Sequence, residues 1–480
     1  MRKKILTVLG ILVVFRILAH IPIPLGDSQT LRQVLESLFT SANTPQFLSF
    51  VNVLSGGALA NFSIMLVGLG PYINASIIMQ LLTRAIPKLE TLNKEGEYGR
   101  KKINQITRIL TLPLAIIQSV GTIYLVKTQA ATVSGLGDIT ANSTPIQWVL
   151  MVSALTGGAM ILMWLGELIT EQNIGNGISL LITVGIISTL PQTTAGLVSR
   201  IFQEGAQWEV LGFSLPISKQ GLVYVLAILA VVVLTIAAVV KLNEAQRRLT
   251  VNYAKRVQGN RTYGGVSTVL PVKLIGAGVV PIIFAVAFLS VPSFVGQILA
   301  TNSSEKLQQL GTQLATWFQT PSQQTFSAGG WEPFIYPAVY FLLVFLFTFF
   351  YTNITFNSKD VAENLQKQGA FIPNVRSGIQ TEKYLNKVVN RLTLFGGLAI
   401  ASLAVLPIAG EVVFNVPNFA ISGTSVLILV SVAIETLRKV ESQAMMTTYS
   451  HYDGSDFFQE VEVEEKKRRL RIPRLKRNKQ

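Results

Sequence analysis

Apolar positions along the chain gather into ten stretches of spanning length, near residues 5–21, 68–83, 108–126, 146–166, 177–196, 220–240, 274–291, 333–353, 392–410 and 418–437. A bilayer core takes about 20 apolar residues per helix, so each stretch predicts one crossing. One run breaks the pattern. From Ser37 to Thr83, forty-seven residues pass without an Asp, Glu, Lys, Arg or His. That is too long for one span, and SGGA (Ser55–Ala58), NFS (Asn61–Ser63) and GLGPYINAS (Gly68–Ser76) interrupt it too often for two. The run must hold one full crossing and a second membrane-buried piece.

The distribution of Lys and Arg gives the orientation, because basic loops stay on the cytoplasmic side. With both termini inside, the inner segments carry 34 of the 40 basic residues. Arg32, Lys127, Arg200, Lys219 and Lys306 fall outside, and Arg16 lies within the first helix. Making 37–67 a further crossing would put the basic segment 84–108 outside. The SGGA piece is therefore expected to enter from the outer face and turn back. Irregular backbone at that depth requires protein or a water-filled cavity around it.

Ten crossings divide as five plus five about the polar segment 197–219, and an odd number per half inverts the second half. Such an arrangement puts a site near the midplane. No residue-level repeat is visible, so the inversion rests on helix count. The expected fold is an all-α polytopic membrane protein: ten transmembrane helices in two inverted five-helix halves with a re-entrant helix. The halves are 1–200 and 220–440, joined by an external connection at 201–219, with a charged tail at 453–480. Met1–Pro22 lacks a small-residue cleavage site and reads as the first span rather than a signal peptide.

Composition supports the class: half of the 480 residues are apolar, 14% are charged and the formal net charge is +15. The absence of cysteine excludes disulfides and thiolate metal sites. No GxxxxGK[ST], HExxH or GxSxG motif occurs, so neither an enzyme nor a cofactor is expected. Secondary transporters keep buried carboxylates on an ion path. Here Glu167 and Glu435 sit at cytoplasmic helix ends, where solvation accounts for them. Arg16, followed by His20 and the IPIP of Ile21–Pro24, is the one strongly intramembrane charge; snorkelling or pairing inside the bundle explains it without function. A small-solute transporter and a pore-less insertase or scaffold stay open at this point.

GLGPYINASIIMQLLT (Gly68–Thr83) followed by GEYGRKKINQITR (Gly96–Arg108) resembles the second helix and first large cytoplasmic loop of the SecY family, the protein-conducting channel. IGNGISLL (Ile174–Leu181), NYAKR with YGGVSTVLPVK and AGVVPIIFA (Asn252–Ala285), FNSKDVAENLQKQGAFIPNVRSGIQTEKYLNKVVNRLT (Phe356–Thr393) and GTSVLILV (Gly423–Val430) agree with it. The resemblance runs in register from about residue 4 to 452. It implies an hourglass pore between the halves, sealed by a plug from the re-entrant helix at about 54–65, around Ser55, Gly56, Gly57, Ala58 and Asn61. Small side chains there suit close packing in a narrow funnel.

The same resemblance implies a pore ring of Leu69, Ile73, Ile182, Ile186, Ile283 and Ile428. Residues four apart share a helix face. An aliphatic ring excludes water and ions by dewetting. A lateral gate is implied between 68–83 with 108–126 and 274–291 with 333–353. Gln80 lies near this seam. Ile275 stands where relatives often carry Asn, so a closing hydrogen bond is expected to be missing and the closed gate looser.

The basic loops 241–273 and 354–391 are implied to dock the ribosome or a motor ATPase, through Lys255, Arg256, Arg261 and Arg376. Positive-inside topology accounts for much of this charge by itself. Arg376 stands out within GAFIPNVRSG, and Asn260 replaces a basic residue common in relatives. The tail is acidic over Asp453–Glu465 and has nine basic residues among the fourteen of Lys466–Lys479. It suits contact with anionic lipid or ribosomal RNA, or a plain topology anchor. The implied activity is translocation of unfolded, signal-bearing polypeptides across the plasma (inner) membrane, with lateral release of helices into the bilayer. The implied partners are SecE-like and SecG-like small membrane subunits, a SecA-type motor ATPase, the ribosome and the precursor polypeptides.

Overall fold

The computed structural model describes residues 2–23, 52, 55–59, 61–132, 144–203, 207–210, 213–253, 256–258, 261–263, 265, 267–276, 278–300, 304–321, 323–327, 329–414 and 419–452. Helices α1 (Arg2–Leu18), α2 (Gly70–Ala85), α3 (Pro87–Lys94), α4 (Glu97–Thr132), α5 (Pro145–Glu171) and α6 (Gly177–Gln203) form the first group. A hairpin of β1 (Gln207–Val210) and β2 (Phe213–Ser218) leads to α7 (Lys219–Glu244). Strands β3 (Gln246–Tyr253), β4 (Arg256–Gln258), β5 (Arg261–Tyr263) and β6 (Ser267–Lys273) come next. They are followed by α8 (Val280–Ala300), α9 (Glu305–Trp317), α10 (Ile335–Thr355) and α11 (Ser358–Lys367). Strand β7 (Ala370–Phe371), α12 (Ile379–Phe414) and α13 (Phe419–Tyr452) close the chain.

Each of the ten expected spans overlaps a helix, though the one expected at 274–291 begins later, at Val280, and runs to Ala300. Among the described residues, segments of α4, α5, α8, α10 and α12 are long and apolar enough to cross a membrane on length and composition. Local chemistry sets several starts. Thr144 and Gln147 form a capping box at α5, and proline occupies the first turn of α2, α3 and α5, where its missing N–H has no helical partner to lose. Prolines 113, 191, 292 and 407 sit inside helices. Neighbouring helices in a membrane bundle tolerate such breaks.

The expected basic loops turn out to fold together. Strands β6, β3 and β7 make an antiparallel sheet in that order, with Asn252 paired to Phe371 across more than a hundred residues of sequence. Leu249 and Val251 point inward while Arg248 and Thr250 face out, the period-2 alternation of a half-buried strand. The inward face joins Ala362, Leu365, Ile372, Leu385 and Val389 in a separate apolar core. The external connection is also structured: α6 continues to Gln203 and β1–β2 bridges to α7.

The re-entrant piece differs from the helix expected of it. Its described residues, 55–59 and 61–69, form consecutive turns apart from a single bridge between Ser63 and Pro22. Gly56 and Gly57 adopt φ of +71° and +84°, Phe62 +46° and Gly68 +64°. A right-handed helix does not continue through such residues.

The core of the sheet domain yields a test. Leu385 is fully buried there, and Leu385→Ala should cost about 2–5 kcal/mol. Limited proteolysis should then cleave between β3 and β6 far faster while the apolar helices stay resistant. A parent-like digestion pattern would show that this core does not hold the domain.

Candidate functional site

The six aliphatic positions expected to converge do so in one buried cluster. Leu69 precedes α2, Ile73 lies on it, Ile182 and Ile186 on α6, Ile283 on α8 and Ile428 on α13. Their exposure runs from 0% at Ile182 to 7% at Ile283. Five of them, all but Ile186, line a cavity of ≈ 40 Å³ together with Ser55 and Val67 of the re-entrant segment. Since one water needs roughly 10–15 Å³ by this measure, the cavity holds about three. It is far too small for an extended chain. Asn74, Gln118 and Ser290 supply polar groups to the wall facing α4 and α8.

The re-entrant segment is tied down through its backbone. The Gly56 carbonyl accepts a hydrogen bond from Arg16 Nη1 at 2.5 Å, and Ser188 Oγ adds a longer contact at 3.2 Å while its one proton also reaches the Gly185 carbonyl at 2.6 Å. A side chain at Gly56 would come within 3.1 Å of both Gly185 Cα and Phe15 Cζ, and its positive φ already favours glycine. Further along, Ile23 N donates to Phe62 O at 3.0 Å, Ile64 N to Ile21 O at 3.0 Å and Ser63 Oγ to Leu18 O at 2.9 Å. The IPIP stretch thus pairs with NFS. On the other side, α5 approaches so closely that a Cβ on Gly158 would overlap the Ile64 carbonyl. Ser55, Gly56, Ala58, Leu59 and Met65 are all buried, and Gly57 and Asn61 are partly so.

Arg16 is therefore paired rather than snorkelling. Its sequence signal was present, a lone guanidinium in an apolar helix. The acceptor is a main-chain carbonyl, which no residue letter announces. Glu167 also differs from the solvated end expected of it: Arg108 grips it with Nη2–Oε2 at 2.6 Å and Nε–Oε1 at 2.9 Å, joining α4 to α5. Glu435 stays partly exposed, 3.8 Å from Lys439. One buried carboxylate escaped the reading, Glu411 on α12 at 2% exposure, because it lies just past the apolar stretch 392–410.

At the seam between α2–α4 and α8–α10, the Phe294 ring lies against Gly121, where a Cβ would overlap it. Arg84 Nη2 donates to Asn353 O at 3.0 Å, tying α2 to α10. Gln80 Nε2 donates to Ser76 Oγ at 3.1 Å, and its buried Oε1 has no hydrogen-bond partner among the described residues. Ile275 does not line the cavity at the aliphatic cluster. It lines a second small void with Val239, Leu242, Leu403 and Leu427, behind α8.

Arg376 is exposed in the turn between β7 and α12, where Asn374 at φ +64° reverses the chain and Thr381 Oγ1 donates to the Arg376 carbonyl at 2.9 Å. Arg256 and Arg261 lie on the paired strands β4 and β5. Lys255, Leu54 and the tail 453–480 lie outside the described residues.

A family model described as SecY matches residues 63–437. Protein translocase subunit SecY of Streptomyces galbus is 39% identical over 455 residues, covering 94% of this chain and 97% of its own. The Mycobacterium bovis protein of the same name is 37% identical over 459 residues with the same coverage. Among solved structures, one described as "The structure of a protein conducting channel" has a TM-score of 0.58 at 17% identity, over 90% of this chain and 91% of its own. Another, "Sec61 in the Canine ribosome-channel complex from the endoplasmic reticulum", has a TM-score of 0.53 at 16% identity, with the same coverage. At those identities the structures speak to the fold.

The hydrogen bonds at Gly56 predict a measurable leak. Removing both donors, as Arg16→Met with Ser188→Ala, leaves the buried Gly56 carbonyl without a partner among the described residues, and a bond from a charged donor is worth about 1.5–3 kcal/mol. Vesicles holding the double variant should pass small ions roughly ten-fold or more faster than vesicles holding the parent. Equal leak rates would show that these bonds do not hold the segment in place.

Proposed function

This chain belongs to the SecY family, and on that premise we propose that it is the protein-conducting channel of a membrane translocase. It carries unfolded, signal-bearing polypeptides across the bilayer and releases apolar helices sideways into lipid. One observation carries the reading: Leu69, Ile73, Ile182, Ile283 and Ile428, from four elements, meet Ser55 of the re-entrant segment around a single cavity of ≈ 40 Å³. A ring of this chemistry blocks water and ions by dewetting and yields around a chain of any sequence, because it makes no specific polar contact. Ile186, in the same cluster, stands one helical turn further along α6.

The re-entrant segment acts as the plug. Its side chains Ala58, Leu59, Phe62 and Met65 are buried and its backbone is held by Arg16 and Ser188, which supports a closed state. Opening requires the Gly56 carbonyl to leave these donors. The lateral gate is the seam of α2 and α4 with α8 and α10, closed by Phe294 on Gly121 and Arg84 on the Asn353 carbonyl. Gln80 lies on the seam helix α2. Ile275 belongs to the packing behind α8, so the looser gate expected of it would act through the position of that helix.

The exposed Arg376 and the β4–β5 hairpin with Arg256 and Arg261 form the docking surface for a SecA-type motor or the ribosome. A solved relative of the same fold is described in a ribosome-channel complex. A guanidinium suits the carboxylates and phosphates such partners offer. SecE-like and SecG-like subunits complete the complex. The two helix groups, 1–200 and 220–440, move about the connection at 201–219. Family membership supports plasma-membrane placement, and the 34 basic residues on one side support both termini being cytoplasmic. The energy comes from outside the chain, which needs no bond chemistry of its own. Family membership lends no weight to a small-solute transporter.

Two outcomes test this. A cysteine introduced as Ile73→Cys is the chain's only thiol, and it should crosslink to a cysteine in a precursor stalled during transport, with none formed before the motor is added. Failure to crosslink during active transport removes Ile73 from the path. Arg376→Glu should abolish motor-driven transport, read as protease protection of a precursor, while the complex still assembles. Normal transport would end the docking role of that residue.

A further inference from the structure

Four aromatic rings gather at the end of the molecule opposite the basic sheet, and the channel reading gives them no task. Trp317 at the end of α9 packs on Trp331 with ring centroids 6.0 Å apart, and Phe326 meets Phe334 edge-on at 5.2 Å. Trp331 and Phe334 are 68% and 61% exposed. Large aromatic side chains left this bare need a medium that is apolar on one side and polar on the other, or a protein cover.

Their depth can be read in two ways. Ile283 belongs to the ring, near the middle of the bilayer on the reading above. From there to Ala300, α8 rises roughly 26 Å, whereas half the hydrocarbon core is about 15 Å. The last turns of α8 therefore stand above the core. Helix α9 folds back along them: a Cβ on Gly296 would come within 2.6 Å of Ala315 N and 2.9 Å of Gly311 O, so the two backbones touch at this pair of glycines. From Gly311 to Trp317, α9 descends about 9 Å. That returns the tryptophan to the edge of the core. Its charged residues, Glu305 and Lys306, are both at the far end. The second estimate is independent of the ring. Trp331 immediately precedes the candidate span that begins at Glu332, and Phe334 is its third residue; the first residues of a span lie at the boundary.

We propose that Trp331 and Phe334, backed by Trp317 and Phe326, form a lipid-binding anchor in the phospholipid ester region at the end opposite the basic sheet. An indole or phenyl ring at that level sits half in hydrocarbon and half among headgroups, which is where such rings are enriched. The Trp317 indole N–H is buried and has no hydrogen-bond partner among the described residues, so Trp331 is the ring whose N–H can reach lipid carbonyls. Because α9 is joined to α8 through Gly296 and Gly311, the anchor also fixes the height of the helix that carries Ile283 and Phe294.

The test reads depth directly and needs no transport. The full chain with Trp148, Trp164 and Trp208 replaced by Phe is placed in nanodiscs of phosphatidylcholine brominated either near the ester end or near the methyl end of its chains. Shallow bromines should quench tryptophan emission by roughly half or more, deep bromines should quench less, and Trp331→Phe should remove most of the quenched signal. If the triple replacement fails to fold, the emission difference between the parent and Trp331→Phe gives the same reading. Quenching by acrylamide but by neither bromolipid, or shallow bromines no more effective than deep ones, overturns the proposal. Such a failure leaves the channel assignment standing, and a failed precursor crosslink at Ile73 leaves the fluorescence result standing.

Discussion

Every backbone N–H and C=O inside a bilayer must find a partner within the protein, since lipid offers none. Helices meet this demand internally. The turns between residues 55 and 69 cannot, and the structure around them is organised to supply the missing partners. Arg16 and Ser188 serve the Gly56 carbonyl, residues 21–23 pair with 62–64, and Ser63 reaches back to Leu18. Close backbone approach is the second part of the answer, with α5 thinned to glycine where it meets Ile64. These ties explain why α1 carries a guanidinium at membrane depth at all. A charge that costs several kcal/mol to bury is retained where it binds a carbonyl that would otherwise be unpaired.

On the function proposed, the closed site combines two barriers of different physical kinds. The aliphatic ring is non-directional: its side chains exclude water because they offer nothing to hydrogen-bond, and any extended chain displaces them alike. The segment beyond it is held by directional bonds at a few named atoms. A moving polypeptide carries its own carbonyls and N–H groups, together with the water that enters an opened pore, so the donors at Arg16 and Ser188 can exchange one acceptor for another. Release of that kind is reversible and leaves no buried group unpaired at the end.

Much of this was legible in the chain, and the limits have physical causes. Spans were readable because about 20 apolar residues are needed for each, and Lys and Arg supplied an expectation for their orientation. Leu69 with Ile73 and Ile182 with Ile186 could be placed on shared faces by their spacing, though only resemblance singled them out from other aliphatic residues. The acceptor for Arg16 was hidden because it is backbone. The sheet at the basic end was hidden because β3 and β7 lie more than a hundred residues apart, and single-strand alternation does not name its partner. Helix was expected for residues 54–65 from the resemblance, yet Gly56 and Gly57 at positive φ made turns of it. Ile275 shows a further limit. Register fixes where a residue falls along the chain, but the irregular stretch between β6 and α8 leaves the direction of its side chain unset.

Helix α8 draws these parts together. At 100° per residue, Ile283, Ala287, Ser290 and Phe294 fall within a narrow stripe on one side of it. That stripe carries a ring residue, two residues of the cavity wall and the ring that packs on Gly121. Gly296 projects from nearly the opposite side, toward α9. A single helix, interrupted in its hydrogen bonding at Pro292, thus presents the proposed pore and seam on one face and its own support on the other. Rotation or outward movement of α8 would loosen Ile283 from the ring and Phe294 from Gly121 together, because both lie on the same face of one element. On the function proposed, widening of the pore and parting of the gate seam are therefore coupled by geometry, without any separate network to transmit one to the other.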